Sequence, residues 1–593
     1  MSTSKEMMYD WNTIPWRKLE RSVFKLQERI YQASSKDDRK TVHQLQKLLI
    51  YSRSAAILAV KRVAQENRGK ETAGIDGLAS LTEKEKLELA HTIMSEPLIT
   101  KAKPVRRVWI PKPGKDEKRP LGIPVMEDRA RQALVKMALE PEWKAKFEST
   151  SFGFRPGRSC HDAVETIYRH MKTVPKYVLD ADIAGCFDHI NHKALLDKLG
   201  TFPSLRRMIR AWLKAGTFDN GSLFPTTEGT PQGGVISPLL ANIALHGLAA
   251  CVKGAFQKKK RPSDGHGESI RWKPVVIRYA DDFVILHTDL DALKQAKQIA
   301  EEWLKGMGLE MKPSKTRITH TLWEIDGNVG FDFLGFNFRQ YPEGKTHCMK
   351  NTHGKPVGFT TSVRPSKESQ KRLLRKIRTI LRSKRNISQI GLISLLNPVI
   401  RGWGKYYSTV VSKDVFHKMD CFIFRKLWSW AKRRHPNKNR HWIAGKYWLN
   451  QTGGWRFGIK GTISLHKLSD IPIRRHVVVQ QHRSPYDGDA MYWSSRTGKH
   501  PEMPKSFATL LKWQNGFCPE CGLFFKPEDR LVIRYPRGRI IGQQEMTVLT
   551  HEYCHLSSEE RCALTMHHFT EEPDEGKLSR PVLKTSTNRE VRA

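Results

Sequence analysis

Two adjacent aspartates, Asp281 and Asp282, interrupt an otherwise apolar run, VVIRYADDFVIL, between Val275 and Leu286. This feature constrains the chain most, because carboxylates are almost never buried unpaired. An Asp-Asp pair on its own is common turn chemistry, but apolar strands on both sides ask for more. Reading Val275 to Ile277 and Phe283 to Leu286 as strands puts YADD at the turn of a β-hairpin, with both carboxylates projecting from the end of a sheet. A second acidic strand end lies upstream in YVLDADIAGCFDHI, where Asp182 follows the apolar Tyr177 to Leu179 and Asp180 precedes it on the same face. Carboxylates gathered at one sheet end repel each other unless a cation lies between them. Mg²⁺ suits them, since it takes hard oxygen ligands and keeps positions open for water and phosphate. Two such ions roughly 3.5 to 4 Å apart would clamp the attacking and leaving oxygens of an in-line phosphoryl displacement.

Charge points to the same substrate class. The 593 residues carry 102 Lys and Arg against 60 Asp and Glu, a formal net charge of +42. The partner of such a surface is polyanionic, nucleic acid or less often an anionic membrane, rather than a small neutral molecule. No apolar run approaches the roughly 18 to 20 residues that span a bilayer, and the first residues show neither a signal-peptide core nor a transit pattern. The expectation is a soluble, intracellular protein without membrane partners, its nine cysteines free of a disulfide framework.

Length demands three or more domains. Residues 1 to about 75 read as helical, closed by the turn residues TAGIDG at 72–77; from about 100 to 340 short β-branched runs alternate with helical patterns, an α/β or α+β body. From 364 to 446 the chain holds 22 Lys and Arg against three acids, Glu368, Asp414 and Asp420, with Trp403, Trp428, Trp430 and Trp442 interleaved. Such text predicts salt-sensitive phosphate contacts, while each tryptophan taken singly is expected in a helical core. After about 475 the composition shifts to Pro, Gly, Ser and His and leads to a cysteine cluster. There CPEC at 518–521 and HEYC at 551–554 form two short ligand pairs 29 residues apart. That spacing suits one tetrahedral Zn²⁺ held by Cys518, Cys521, His551 and Cys554.

Six segments carry a family resemblance: RRVWIPKPGKDEKRPLGIPVMEDRARQ (106–132), FGFRPGRSCHDAV (152–164), DADIAGCFDHINH (180–192), GTPQGGVISPLLANIAL (229–245), RYADDFVIL (278–286) and KPSKTRI with FDFLGF (312–336). In this order they resemble group II intron-encoded reverse transcriptases, and LLNPVIRGWGKYYSTVVSKDVF with FRKLWSWAKRRHPNKNRHWI looks like the maturase domain of that family. The resemblance implies a multidomain α+β right-hand polymerase. Its parts would be an RNA-binding N-terminal extension (1–80), fingers and palm (81–345), a helical thumb or maturase domain (346–450), a DNA-binding region (451–512), a small zinc-finger-like HNH-type domain (513–570) and a tail (571–593). It implies RNA-templated extension of a DNA 3′-OH by dNTPs with two Mg²⁺, together with binding of the parent intron RNA to promote splicing and retrohoming. The partners would be intron RNA, target DNA, a primer-template duplex and dNTPs, in bacterial cytoplasm or an organelle. A splicing-only maturase would show a broken triad, and a stand-alone reverse transcriptase would lack the RGWGKYY and WAKRRHPNK block; neither description fits.

Carried over residue by residue, Asp182, Asp281 and Asp282 match the family's catalytic triad, with Asp182, Asp281 and the Ile183 carbonyl as Mg²⁺ ligands. Phe187 falls where an aromatic ring abuts the nucleotide sugar and excludes a 2′-OH. Lys112 and Arg119 match triphosphate-gripping cations, Gln232 and Gly233 a nucleotide-contacting turn, and Lys315 an anchor for primer or phosphate. The tail resembles an HNH endonuclease but departs from it. RLVIRY precedes Pro536-Arg537 where the family carries histidine, Met546 stands near the motif asparagine, and His555 alone remains. No imidazole is left as general base, so the expectation is zinc-dependent folding without strand cleavage.

Overall fold

The computed structural model describes residues 10–111, 117–219, 221–256, 259–260, 269–270, 273–343, 349–350, 353–451, 454–480, 483–534 and 547–555. The chain divides into two compact units, Met1–Gly488 and Asp489–Ala593.

In the larger unit, helices α1 (Trp16–Ser35), α2 (Arg39–Ile50), α3 (Arg53–Lys61) and α4 (Glu83–Ser95) gather around the central helix α5 (Met126–Lys146). Their apolar faces share one core with Leu179, Ala181, Val276, Phe283 and Ile285 of the antiparallel sheet, and buried polar side chains fix their register. Gln27 Nε2 donates to Met137 O at 2.9 Å, Ser34 Oγ to Glu142 O at 3.0 Å and Gln46 Nε2 to Glu142 Oε2 at 2.6 Å. The N-terminal segment is thus part of the body, because leaving any of these buried groups unpaired would cost roughly 1–3 kcal/mol.

A first sheet has the order β2-β1-β4-β5, from β1 (Val105–Pro111), β2 (Lys118–Ile123), β4 (Thr217–Asp219) and β5 (Ser222–Phe224). The second is antiparallel throughout, in the order β10-β3-β9-β8. Its strands are β3 (Tyr177–Asp182), β8 (Val275–Tyr279), β9 (Asp282–His287) and β10 (Arg317–His320), while β6 (Lys259–Lys260) and β7 (Ser269–Ile270) form a short ladder of their own. Helix α6 (Cys160–Met171) packs on β8, and α11 (Leu248–Gly254) and α12 (Leu290–Gly306) pack on β8 and β9. Between them the chain forms α7 (Cys186–His189), α8 (His192–Leu199), α9 (Pro203–Leu213) and α10 (Ser237–Leu245). Val276, Ile277, Phe283, Val284 and Ile285 are at most 1% exposed, so both faces of the sheet are covered.

Beyond a small sheet of β11 (Phe331–Phe333), β12 (Phe336–Pro342) and β13 (Phe359–Pro365) comes a helical bundle: α13 (Lys367–Ser383), α14 (Gln389–Tyr407), α15 (Lys413–Arg434) and α16 (Arg440–Tyr447). Leu373, Ile377 and Leu381 point α13 inward while its Lys and Arg residues stay out. Trp430 is 4% exposed and Trp442 38%, so one tryptophan is core and the other a surface ring between Lys438 and Lys446. The strands β14 (Trp448–Gln451), β15 (Gly454–Ile459) and β16 (Ile463–Ser464) close this body. Residues 474–480 and 483–486 lie back over it as a strap. Arg158 donates to the carbonyls of Val479, Gln480 and Arg483, and Asp162 accepts from Val479 N at 2.9 Å and meets His476 Nε2 at 3.0 Å. Tyr486 Oη reaches Glu140 Oε2 at 3.0 Å.

The smaller unit holds α17 (Ala490–Thr497), α18 (Lys505–Trp513) and the hairpin β17 (Leu531–Arg534) and β18 (Val548–His551), around Met491, Leu511, Phe525 and Leu549. No helix among the described residues is long and apolar enough to cross a membrane.

Candidate active site and metal centre

Antiparallel register brings the three aspartates together. Asp182, the last residue of β3, lies directly opposite Asp282, the first of β9, and Asp281 sits beside it in the turn. The turn is tight, with Ala280 in the left-handed region at φ +58°. Burial first, then the Asp182 carboxylate, holds the Asp281 carboxyl above its ordinary value. Burial with both Asp281 and Asp182 pushes Asp282 up to about 7. Such mutual repulsion in a half-buried oxygen cluster is what a hard divalent cation relieves, so the donor set fits Mg²⁺. Ile183 follows directly, its N–H donating to Asp281 O at 3.4 Å. Asp180 is not part of this cluster: it pairs with Arg317 on β10 at 3.3 Å, and burial pushes it to about 6.

Cations approach the cluster from separate elements. Lys315 Nζ is ion-paired with Asp182 Oδ2. Burial opposes the ammonium, but Asp182, Asp282 and Asp281 hold it above its ordinary value. Lys315, expected to anchor primer or phosphate, thus stands against the aspartate cluster. Arg119, exposed on β2, stands close enough for its charge to favour ionised Asp281. Lys112 lies outside the described residues.

Phe187, Gln232 and Gly233, expected at the nucleotide, are linked to one another and to β2. Phe187, on α7, meets Phe154 edge-on at 6.2 Å. Its carbonyl accepts from Thr230 N at 2.5 Å. Gln232 Nε2 donates to the Asp188 carboxylate at 3.1 Å, and Gln232 O accepts from Gly122 N at 2.6 Å, which ties the TPQGG turn to strand β2. Gly233 has φ +124°, and a Cβ there would lie 2.8 Å from Gly122 O. Only glycine allows that approach.

Two residues assigned no role from the sequence hold the Ala280–Asp281 turn. Arg278 is 3% exposed, and its Nη1 donates to Asn242 Oδ1 at 3.0 Å and to Ala280 O at 3.1 Å. Asn242 Nδ2 in turn donates to Gly153 O at 2.7 Å. A Cβ on Gly153 would lie 2.2 Å from Ala280 N, so the FGF segment presses directly against the turn. The available signal was an arginine inside an apolar strand run.

In the smaller unit Cys518, Cys521, His551 and Cys554 converge, their ligand atoms all within 4.8 Å of one another. Cys518 Sγ and Cys554 Sγ are 3.9 Å apart, and Cys521 Sγ is 3.4 Å from His551 Nδ1. Zn–S bonds of about 2.3 Å in a tetrahedron place two sulfurs ~3.8 Å apart, so the set fits zinc. His551 Nε2 meets Asp529 Oδ2 at 3.0 Å, a carboxylate that fixes the ring for metal ligation through Nδ1. Residues 535–546 and the His555 side chain, on which the HNH comparison turns, lie outside the described residues.

A carboxylate triad at the tip of an antiparallel sheet, faced by a cationic hairpin, is the palm of a nucleic-acid polymerase. Family models agree along the chain: reverse transcriptase (RNA-dependent DNA polymerase) over residues 110–338, the N-terminal domain of reverse transcriptase over 11–93, and the group II intron maturase-specific domain over 370–448. Among similar proteins, YkfC of Escherichia coli is 34% identical over 304 residues, 46% of this chain and 77% of that protein. The group II intron-encoded protein LtrA of Lactococcus lactis is 32% identical over 328 residues, 46% of this chain and 53% of LtrA. Maturase-like protein 1 of Euglena gracilis is 25% identical over 402 residues, 66% of this chain and 76% of that protein. The chain therefore spans only about half the length of LtrA. It belongs to the group II intron-encoded reverse transcriptases and maturases, a family of RNA-directed DNA polymerases.

Proposed function

We infer that the protein extends a DNA 3′-OH on an RNA template and binds its parent intron RNA to promote splicing and retrohoming. The observation that carries this reading is the convergence of Asp182, Asp281 and Asp282 in one half-buried cluster, with the charge of Arg119 felt at Asp281. Mg²⁺ held by Asp182 and Asp281 would supply Lewis-acid stabilisation of the phosphoryl oxygens and of the attacking hydroxyl. Arg119 offsets charge on the departing pyrophosphate. Phe187, its ring set by Phe154, closes the space a ribose 2′-OH would need and selects dNTPs. Gln232, its amide held by Asp188, presents backbone to the nucleotide across Gly233.

The 22 cations of 364–446 grip intron RNA and the primer-template duplex. The smaller unit is a zinc-folded knob for target DNA without strand cleavage, since RLVIRY puts no histidine before Pro536-Arg537, where an HNH nuclease carries its general base. The work takes place where the intron is transcribed, in bacterial cytoplasm or an organelle. Asp281→Ala is expected to abolish dNTP incorporation on a primed RNA template and leave intron RNA affinity within a few-fold, because it removes a carboxylate and no RNA-gripping charge. Polymerisation by this variant at a rate near wild type overturns the assignment.

A further inference from the structure

Helices α13 and α15 of the bundle enclose a cavity of about 520 Å³, within the ~300–1,000 Å³ range of ligand-sized pockets. Five cations line it: Arg378 and Arg382 from α13, and Arg425, Lys426 and Arg433 from α15. The three acids of this region are engaged elsewhere. Glu368 pairs with Arg375, Asp414 with Arg364, and Asp420 accepts from Leu468 N and Ser469 N. Among the described residues none of the five has a carboxylate partner within 4.0 Å. The cluster repels itself: burial, then Arg378 and Arg382, holds the Lys426 ammonium below its ordinary value.

The cavity floor differs from its rim. Leu381, Phe422 and Trp430 line it, and the indole N–H of Trp430, 4% exposed, has no hydrogen-bond partner. A folded protein keeps like charges together around an apolar, aromatic floor at a cost in stability, and an anion with a flat apolar body removes that cost. A duplex presents only phosphates and needs no cavity. An unstacked nucleotide presents both a phosphate and a ring face.

We propose that this cavity is a binding site for one unpaired nucleotide of an RNA strand, with the base against Phe422, the Trp430 indole N–H beneath it, and its flanking phosphates among the five cations. The proposal rests on the reading that this chain binds intron RNA. It goes further by naming a single-strand pocket distinct from the palm.

The test uses the full-length protein with two fluorescein-labelled probes, a single-stranded RNA dodecamer and a blunt RNA duplex of equal length, over a range of salt. Arg382→Gln with Lys426→Gln is expected to weaken single-strand binding tenfold or more and flatten its salt slope by roughly 1.4, about 0.7 for each of two phosphates. Duplex binding should fall no further than it does for the same loss of charge elsewhere on α13. Phe422→Ala should weaken single-strand binding by a factor of roughly 5 to 100, the span of base stacking on an aromatic ring, with the salt slope unchanged. Lys371→Gln with Lys376→Gln removes the same charge from exposed positions of α13 outside the cavity and should not discriminate between the probes. Because the cluster repels itself, the pocket variant should melt no lower than wild type without RNA. Equal loss of both probes in pocket and control variants would reduce the cavity to charged surface and overturn the proposal. Displacement of the single strand by inorganic phosphate as readily as by AMP would overturn the nucleotide. Failure of the wild-type protein to bind either probe would instead refute the RNA-binding reading itself.

Discussion

Replacing Asn242 with leucine leaves every proposed catalytic group in place and removes only what holds the turn. The side chain has nearly the same volume, yet two hydrogen bonds vanish, to Gly153 O at 2.7 Å and from Arg278 Nη1 at 3.0 Å. Asn242 is 1% exposed, so no water takes over, and Arg278 already carries one buried, unpartnered nitrogen, Nη2. Orphaning a buried carbonyl and a guanidinium donor costs about 3–5 kcal/mol in total. Part of that strain relaxes by shifting the turn that Arg278 holds through Ala280 O. A displacement near 1 Å costs on the order of 10²-fold in rate. Single-turnover extension of a DNA primer on RNA at saturating dNTP should therefore fall about a hundredfold, while dNTP affinity stays within about threefold. Leu396→Ala in the helical bundle, where the residue is fully buried, is the control, since a cavity there costs about 2–5 kcal/mol without touching the palm. If Asn242→Leu is folded, destabilised like the control and extends within threefold of wild type, the network supports stability alone and the positioning argument fails.

Three other perturbations read separate parts of the molecule. Lys315→Met removes the cation now paired with Asp182; without metal the variant should lose about 1 kcal/mol, a value discounted for half-exposure, and calorimetric Mg²⁺ binding should tighten several-fold. Weaker Mg²⁺ binding would show that Lys315 assists the cation rather than competing with it. Asp529→Ala should lower zinc affinity about 10- to 100-fold by freeing the His551 ring, checked by chelator competition with metal analysis of the purified chain. His320 Nδ1 accepts from Leu322 N at 3.2 Å and Trp323 N at 2.9 Å, and burial pushes its pKa down to about 4. A histidine depressed in the fold contributes stability that is complete above its unfolded pKa near 6.5 and lost as pH falls toward 4. Denaturant unfolding should show up to about 3 kcal/mol of loss over that window, absent in His320→Asn.

Local features were legible in the sequence and distant encounters were not. Apolar runs on both sides of YADD were enough to set the hairpin, and CPEC with HEYC to set a ligand group, because each pattern is complete within a few residues. Asn242 and Arg278 stand 36 residues apart in separate motifs and meet only when the sheet forms. Nothing in PSKT announces that Lys315 will reach Asp182, 133 residues earlier. The sequence after about 475 shows only a shift to Pro, Gly, Ser and His; that His476 and Val479 anchor on Asp162, more than 300 residues upstream, is something a composition argument cannot supply.

Arg278, next to last in the apolar strand β8, answers an electrostatic need of the turn that follows it. Three carboxylates at one sheet tip need positive charge, yet a cation that paired with them permanently would block the metal. Lys315 and Arg119 sit on exposed or half-exposed segments and can yield their positions. Arg278 cannot: its guanidinium is spent on Asn242 and on the Ala280 carbonyl, so its charge acts on Asp281 through space without capping it. Burial makes that unscreened field worth more than the same charge in water. The hairpin thereby keeps a fixed positive charge near its carboxylates and leaves their oxygens free, which a lysine or arginine placed in the turn itself could not do.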